Sequence, residues 1–264
     1  MNRVKDIMEL ASRLAPQKLA SEWDNTGLQI ADLEQEVDSI LLSLDINEAV
    51  VDEAIRKKCQ LIISHHPLLF RPIRKIGRQN YQGRLIYRII SKKINVFAMH
   101  TNLDSAEGGI NDYLANIFGL SDVRPLGVRD NPALEPGPGR IGSLPAGISL
   151  QEFLQLVREK LDAEQLRYVG EEDKIIRTIA ICSGSGSEYI SLAAEEGADL
   201  YLTGDVKYHQ AQEAEILGLA LIDAGHYQTE AIVKSLLYDF FTRHLKGVKL
   251  YKSEINTDPW NYFS

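Results

Sequence analysis

The stretch that decides the fold is Leu61–Pro67, which reads LIISHHP, an aliphatic run that ends in two histidines and a proline. Such a run predicts a short buried strand. Pro67 lacks a backbone donor, so the strand must end where the two imidazoles leave the sheet. Strand ends are where α/β proteins place ligands. Because successive strand side chains point to opposite faces, His65 and His66 can share a site only if the backbone bends there, or if the site holds two metals with one imidazole each.

This strand belongs to a strand–helix–strand pattern that occurs twice, with the second copy shifted by the 139 residues between Leu61 and Leu200. The predicted segments are strand 40–45, helix 48–58 and strand 61–64 in the first copy, and strand 179–182, helix 188–196 and strand 200–203 in the second. In each copy, the next strand ends in a histidine four residues before a carboxylate. Because unrelated segments rarely repeat such an order, the chain is predicted to be a duplicated α/β unit.

Residues 124–150 separate the two copies and contain five prolines and five glycines. This composition is incompatible with a helix and predicts a linker or an edge region of a sheet. Ser149 and Glu152 then form a capping-box pattern at the start of a helix. We therefore expect a first α/β domain at 1–125 and a second at 126–264, with the C-terminal helix able to pack back on the first.

The composition is that of a soluble globular protein, with 44% hydrophobic and 25% charged residues in 264. The net charge of −8 argues against broad binding to nucleic acid or to anionic membranes. The sequence has neither a long apolar run nor a signal-peptide pattern, so we expect a cytoplasmic protein. Cys59 and Cys182 have no disulfide or metal-binding spacing and are interpreted as buried small hydrophobic residues.

Histidines concentrate at the predicted strand ends, and only His244 lies elsewhere, in a terminal helical pattern. The five at or just beyond strand ends are His65, His66, His100, His209 and His226. A helix predicted over 226–245 places His226 and Glu230 four residues apart on one face, and His100 and Asp104 repeat this spacing.

A single pair of this kind is usually a hydrogen bond on a helix surface. Two copies at equivalent repeat positions, together with adjacent histidines, favour a metal site instead. Mixed imidazole and carboxylate ligands suit zinc, iron, manganese or cobalt, and a carboxylate can bridge two ions.

Other polar segments allow two interpretations. The glycine-rich stretch Ser183–Ser187 is interpreted as a tight βα turn in preference to a phosphate-binding loop. Asp205 and Lys207 either line the same cleft or form a turn cap and a solvated surface. Trp23 and Asp24 are expected to be a packed anchor and a turn cap.

Four motifs at these positions, residues 64–67, 100–104, 203–205 and 225–230, together with Trp23–Leu28, resemble the Nif-three-like family of GTP cyclohydrolase 1 type 2 homologues. The resemblance implies two similar three-layer α/β domains, a dinuclear metal site in the cleft between them and a toroidal homohexamer. It implies two divalent ions per chain, with zinc expected first and iron, manganese or cobalt as alternatives. The implied ligands are His65, His66, Asp104, His226 and Glu230, with His100 and His209 close to the metals.

Three functions follow as hypotheses. The first is a hydrolase of the GTP cyclohydrolase type, which opens the purine imidazole ring and releases formate. In it the metals provide Lewis acidity and the nucleophile, His100 or His209 moves protons, and the 184–186 loop or Lys207 holds phosphate. The second is a phosphoesterase acting on a nucleotide or another small phosphorylated substrate. The third is a non-catalytic metal- or nucleotide-binding regulatory protein.

Overall fold

The computed structural model describes residues 2–127, 137 and 139–261. These residues form two compact units. The first unit combines Met1–Leu103 with Val233–Ser264, and the second spans Asp104–Ile232. The division therefore differs from the expected boundary at 125/126, because the chain leaves the first unit after Leu103 and returns to it at Val233.

Each unit is a mixed α/β structure. The helices of the described residues are α1 (Val4–Leu14), α2 (Glu48–Arg56), α3 (Tyr81–Ser91), α4 (Thr101–Ser105), α5 (Ile110–Ile117), α6 (Leu150–Lys160), α7 (Ile190–Glu195), α8 (Tyr208–Ile216), α9 (His226–Glu230) and α10 (Val233–His244). The strands are β1 (Gly27–Ile30), β2 (Ser39–Ser43), β3 (Leu61–Ser64), β4 (Asn95–Ala98), β5 (Ser121–Pro125), β6 (Arg140–Ser149), β7 (Arg167–Val169), β8 (Ile175–Ser185), β9 (Leu200–Gly204), β10 (Ala220–Asp223) and β11 (Lys249–Lys252).

The sheet of the first unit has the strand order β1-β4-β3-β2-β11. Strands β4, β3, β2 and β11 are parallel, and β1 pairs antiparallel with β4 at the edge. The pairing of β11 with β2 explains why the C-terminal segment belongs to this unit. Because the parallel strands end at one edge, the residues that follow β3 and β4 leave the sheet side by side.

The sheet of the second unit has the strand order β5-β6-β8-β9-β10-β7. Its parallel centre, β8-β9-β10, repeats the centre β2-β3-β4 of the first unit, and in both an antiparallel strand pairs with the last of the three. The predicted duplication of an α/β unit is thus confirmed by strand order and direction.

The layers follow from alternation along the strands. On β8, Ile179 and Ile181 face the apolar cluster that contains α6, whereas Ala180 and Cys182 face the cluster that contains α7 and α8. Burial of both faces produces the continuous apolar runs that predicted these strands. The predicted capping box is confirmed, because the Glu152 amide donates to Ser149 Oγ and the Ser149 amide donates to Glu152 Oε2.

Two local expectations are refined. Residues 226–245 form two helices, α9 and α10, and the break coincides with the passage of the chain from the second unit to the first. Residues 124–125 of the expected linker belong to the edge strand β5, as the edge-of-sheet alternative predicts, whereas β6 lies inside the sheet between β5 and β8. Residues 128–136 and 138 of that linker lie outside the described residues. None of the described helices has the length and apolarity needed to cross a membrane.

Candidate metal centre

Three imidazoles meet at the end of the first sheet. His65 and His66 follow β3, and His100 follows β4. Their ring centroids are 5.1 to 5.5 Å apart, and one nitrogen of each ring lies within 4.8 Å of the others. The backbone bends here, since the consecutive amides of His65 and His66 both donate to carbonyls of the segment 43–44. A regular strand would direct these amides to opposite sides, so the bend is what lets neighbouring histidines share one site.

Each of these rings is oriented by an oxygen at Nδ1. His65 Nδ1 lies 2.8 Å from the Met99 carbonyl, and His66 Nδ1 lies 2.7 Å from Asp45 Oδ1. His100 Nδ1 lies 2.8 Å from Asp24 Oδ1. These oxygens accept hydrogen bonds, so each imidazole donates from Nδ1, and in the neutral form its Nε2 carries the lone pair. This arrangement of a histidine and its outer oxygen is typical of metal-ligating imidazoles.

Asp24 is a positioning residue that the sequence interpretation missed. Its buried carboxylate accepts hydrogen bonds from His100 and from both the amide and the hydroxyl of Thr101. Burial raises the pKa of Asp24, but these hydrogen bonds and the charge of His100 outweigh it and lower the pKa to about 2. The expectation of a simple turn cap at Asp24 is therefore too narrow.

The expectation that Trp23 is a packed anchor is wrong, because the side chain is 63% exposed. Its indole instead lies edge-on to the rings of Phe70 and His100. The signal that could have identified both residues is the motif Trp23–Leu28, which contributed to the family resemblance.

A second set of donors lies in the second unit. His226 and Glu230 stand on one turn of α9, with His226 Nε2 3.0 Å from Glu230 Oε2. His226 Nδ1 lies 2.7 Å from Asp205 Oδ2, the same arrangement as in the first unit. Asp205 follows β9 in the left-handed region, with φ of 55°, a conformation that aspartate tolerates better than most residues. Of its two interpretations, the contact to the site is the one observed.

The glycine at 184 leaves room for these donors. A Cβ on Gly184 would lie 2.1 Å from Glu230 Oε1 and 3.3 Å from His226 Nε2. Gly184 also has φ of +65°, which side chains rarely adopt. Both the clash and the backbone conformation therefore favour glycine at this position, and its lack of a side chain leaves space for the Glu230 carboxylate.

Asp104 lies on α4 in the second unit. Its charge and that of Glu230 both act on the Cys182 thiol. Burial raises the pKa of the Cys182 thiol well above its usual range, and the charges of Asp104 and Glu230 raise it further. Asn111 holds this region together, because its Nδ2 donates to the Asp104 carbonyl and its Oδ1 accepts from the Ser183 amide. Both cysteines of the chain are buried and free, as expected.

The loop Ser183–Ser187 is a tight turn, as preferred from the sequence. The amides of Ser183, Gly184 and Gly186 donate to Asn111, Thr229 and Thr203 respectively. The amides of Gly184 and Gly186 are thus used within the protein, which argues against the alternative of a phosphate cradle at 184–186.

Two further residues singled out from the sequence lie on the surface. His209 is exposed on α8, with Nδ1 3.1 Å from Gln212 Oε1, and Lys207 is exposed just before that helix. Their proposed roles toward substrate remain predictions. His244 is also exposed, at the end of α10, where its Nδ1 lies 2.8 Å from the Phe240 carbonyl.

The donor sets of both units fit divalent transition metals. Imidazoles with oriented Nδ1 atoms and carboxylates beside them are the ligand types that zinc, iron, manganese and cobalt accept. Fold and donors together define a duplicated α/β protein with a histidine-rich candidate metal centre.

Residues 2–259 match the family model described as Duf34/NIF3 (NGG1p interacting factor 3). The chain therefore belongs to the Duf34/NIF3 family. A relative from Clostridium acetobutylicum, named GTP cyclohydrolase 1 type 2 homolog, is 38% identical over 98% of both chains. A relative from Lactococcus lactis with the same name is 34% identical over 98% of both chains.

Solved structures agree with this assignment. A hypothetical protein from Staphylococcus aureus superposes with a TM-score of 0.89 at 33% identity, covering 99% of both chains. Reduced HcgD from Methanocaldococcus jannaschii superposes with a TM-score of 0.83 at 31% identity, covering 96% of this chain and 98% of its own. The fold is thus that of the NIF3 superfamily along nearly the whole chain.

Proposed function

We propose that the chain is a metal-dependent hydrolase of the GTP cyclohydrolase type, which opens the imidazole ring of a guanine nucleotide and releases formate. The observation that carries the proposal is the cluster of His65, His66 and His100, each oriented through Nδ1 by an oxygen. The names of the relatives from Clostridium acetobutylicum and Lactococcus lactis supply the reaction class and the nucleotide.

The proposed ligands are His65 and His66 from the first unit, and Asp104, His226 and Glu230 from the second. Two divalent ions per chain suit this set, because a carboxylate can bridge a pair. Zinc is the first choice, and iron, manganese and cobalt accept the same donors. When bound, the metals supply Lewis acidity and activate water as the nucleophile.

The chain's own residues hold the ligands and move protons. Asp24, Asp45 and Asp205 fix ring orientation and keep Nδ1 protonated in His100, His66 and His226. His100 is the proposed proton carrier in the first unit, because its ring lies beside the imidazoles of His65 and His66 and is oriented at Nδ1 by Asp24. His209 is proposed as a second proton carrier, a role that depends on its reach toward bound substrate.

The direct test is turnover by protein reconstituted separately with zinc, manganese, iron or cobalt. We expect metal-dependent formate from GTP, lost in His66→Ala and retained in His244→Ala, which removes an exposed imidazole. Phosphate without formate would replace the proposal with a phosphoesterase. If metal-loaded protein released neither product, a non-catalytic binding role would replace it.

We also propose that the chain assembles as the toroidal homohexamer that the family resemblance implies. Sedimentation equilibrium is then expected to give six times the chain mass of 29.6 kDa. A monomer or dimer at micromolar concentration would contradict this assembly.

A further inference from the structure

The first unit contains a cavity that the proposed metal ligands do not use. It has a volume of about 660 Å³ and is lined mainly by aromatic and aliphatic side chains, among them Trp23, Phe70, Ile76 and Ile90. Asn25, Gln29 and Arg71 add polar groups to this lining. A cavity of this size with few polar groups is typical of a small-molecule site.

The aromatic wall of the cavity adjoins the imidazole cluster. The Trp23 and Phe70 ring centroids are 5.9 Å apart, and they lie 6.0 Å and 6.3 Å from the His100 ring. A planar group held by this wall is therefore next to His100.

Hydrogen bonds to the backbone of Leu69 fix the segment that carries Phe70 of this aromatic wall. Asn25 Nδ2 donates to the Leu69 carbonyl at 2.6 Å, and the Leu69 amide donates to Gln29 Oε1 at 2.9 Å. These bonds fix the segment that carries Phe70, while Trp23 and Phe70 remain 63% and 47% exposed. The Phe70 ring on this fixed segment and the exposed Trp23 indole, set at 67° to each other, present two aromatic surfaces to a flat ligand.

The cavity is also bordered by unbalanced positive charge. Residues 54–103 contain eleven lysines and arginines and neither aspartate nor glutamate, although the whole chain has a net charge of −8. Arg84 and Arg88 pair with Glu48 and Asp52 of α2. None of the described carboxylates pairs with the cations of the adjoining loop, which are Arg71, Arg74 and Lys75.

We propose that this cavity is the recognition site for a nucleoside phosphate. Trp23 stacks on the face of the base, Phe70 contacts its edge, and Arg71, Arg74 and Lys75 bind its phosphates. The inference rests on the proposed function for the reaction that follows binding, whereas binding itself needs no turnover. Proteins bind the bases and phosphates of single-stranded nucleic acids by stacking on aromatic rings beside cationic groups, and the same contacts are available to a single nucleotide.

The test is calorimetric titration of the full-length chain, as purified and after chelation, with GTP, guanosine and inorganic triphosphate. Trp23→Ala is expected to weaken the binding of GTP and guanosine by about tenfold or more, because it removes a stacking surface. Trp260→Ala is the matched control, since Trp260 is similarly exposed at 73% and does not line the cavity. Trp23→Phe, which keeps an aromatic face, is expected to restore most of the affinity.

The charge is tested separately with Arg74→Ala/Lys75→Ala. This pair is expected to weaken GTP and triphosphate binding and to reduce its salt dependence, with guanosine unaffected. Arg158→Ala/Lys160→Ala removes two exposed cations of α6 and is expected to change neither.

The outcomes separate this site from the proposed function. Unchanged nucleotide affinity in Trp23→Ala, or an equal loss of affinity in Trp260→Ala, overturns the proposed nucleotide site in this cavity even if formate is released. Loss of nucleotide binding in Trp23→Ala supports the proposed nucleotide site even if the wild-type protein never releases formate. The absence of formate would overturn only the proposed reaction.

Discussion

At the scale of single residues, the site depends on groups that leave space for the proposed ligands and on groups that orient the histidines. Gly184 is the clearest case of the first kind, because any side chain there meets Glu230. Replacement by alanine adds both this clash and the cost of a left-handed conformation, which is about 1 kcal/mol.

Gly184→Ala is therefore expected to lower metal affinity and to lower the melting temperature. Gly197→Ala is the matched control, since Gly197 has φ of +80° and a Cβ there would meet nothing within 4 Å. Calorimetric metal titration and thermal unfolding of both variants measure the difference. Equal metal affinity in the two variants would show that the space beside Glu230 is not part of the site.

Asp24 is the clearest case of a group that orients a histidine of the site. Asp24→Asn keeps the shape but removes the charge that orients and stabilises His100. Loss of such an outer partner typically reduces activity or metal affinity by about 10- to 100-fold. Formate release should fall by this range in Asp24→Asn and remain at the wild-type rate in Asp122→Asn, an exposed aspartate in the second unit. Equal rates in both variants would remove Asp24 from the mechanism.

Residue type and position sufficed to predict His65, His66, His100, Asp104 and the α9 pair as candidates, because imidazoles at strand ends have few structural reasons to cluster. The orienting carboxylates were not predicted as a set. Asp24, Asp45 and Asp205 lie 76, 21 and 21 residues from the histidines that they orient, so only the folded chain brings them together. A single aspartate in a turn-forming segment gives no sequence signal of this role.

At the scale of elements, periodicity predicted the repeated βαβ units because both faces of their strands are buried. The break between α9 and α10 was not predicted, since apolar spacing continues through residues 226–245 while the backbone changes direction. The turn Ser183–Ser187 was predicted correctly on loop length. The side chains that accept hydrogen bonds from its amides, Asn111, Thr229 and Thr203, lie 72, 45 and 17 residues away in sequence.

The attachment of the C-terminal segment to α2 is an element-scale feature with a pH signature. Buried Glu53 accepts hydrogen bonds from Ser253 Oγ at 2.6 Å and from the Glu254 amide at 3.1 Å, and it pairs with Lys57. Burial raises the pKa of Glu53, but these bonds and the ion pair outweigh it and lower the pKa below its usual value. The stabilisation is therefore full above the unfolded-state pKa and is lost as the pH falls through the folded-state pKa.

Glu53→Gln is expected to reduce the free energy of unfolding at pH 7 by about 2 kcal/mol, because it breaks charged hydrogen bonds in a buried place. The deficit should begin to shrink as the pH falls below the unfolded-state pKa of about 4.5 and should be smallest below the lowered folded-state pKa, where the wild-type carboxyl is neutral in both states. Glu48→Gln, on the same helix and partly exposed, serves as the control. Denaturant unfolding from pH 7 to pH 3 measures both. A deficit that is constant with pH would contradict the role of the Glu53 charge.

At the scale of the whole molecule, duplication places a strand-end donor set in each unit. The first unit carries the proposed ligands His65 and His66, and the second carries the proposed ligands Asp104, His226 and Glu230. The proposed function requires both sets of ligands. This requirement is the central claim, and it can be tested without knowledge of the substrate.

The most direct measurement is the metal content per chain, by elemental analysis, of wild-type protein and of His66→Ala, Asp104→Ala and His244→Ala after identical reconstitution and dialysis. We expect about two ions per chain in the wild type and in His244→Ala, the number that a bridging carboxylate permits. The content should fall in both His66→Ala and Asp104→Ala. Wild-type content in either of these two variants would contradict the proposed ligand set.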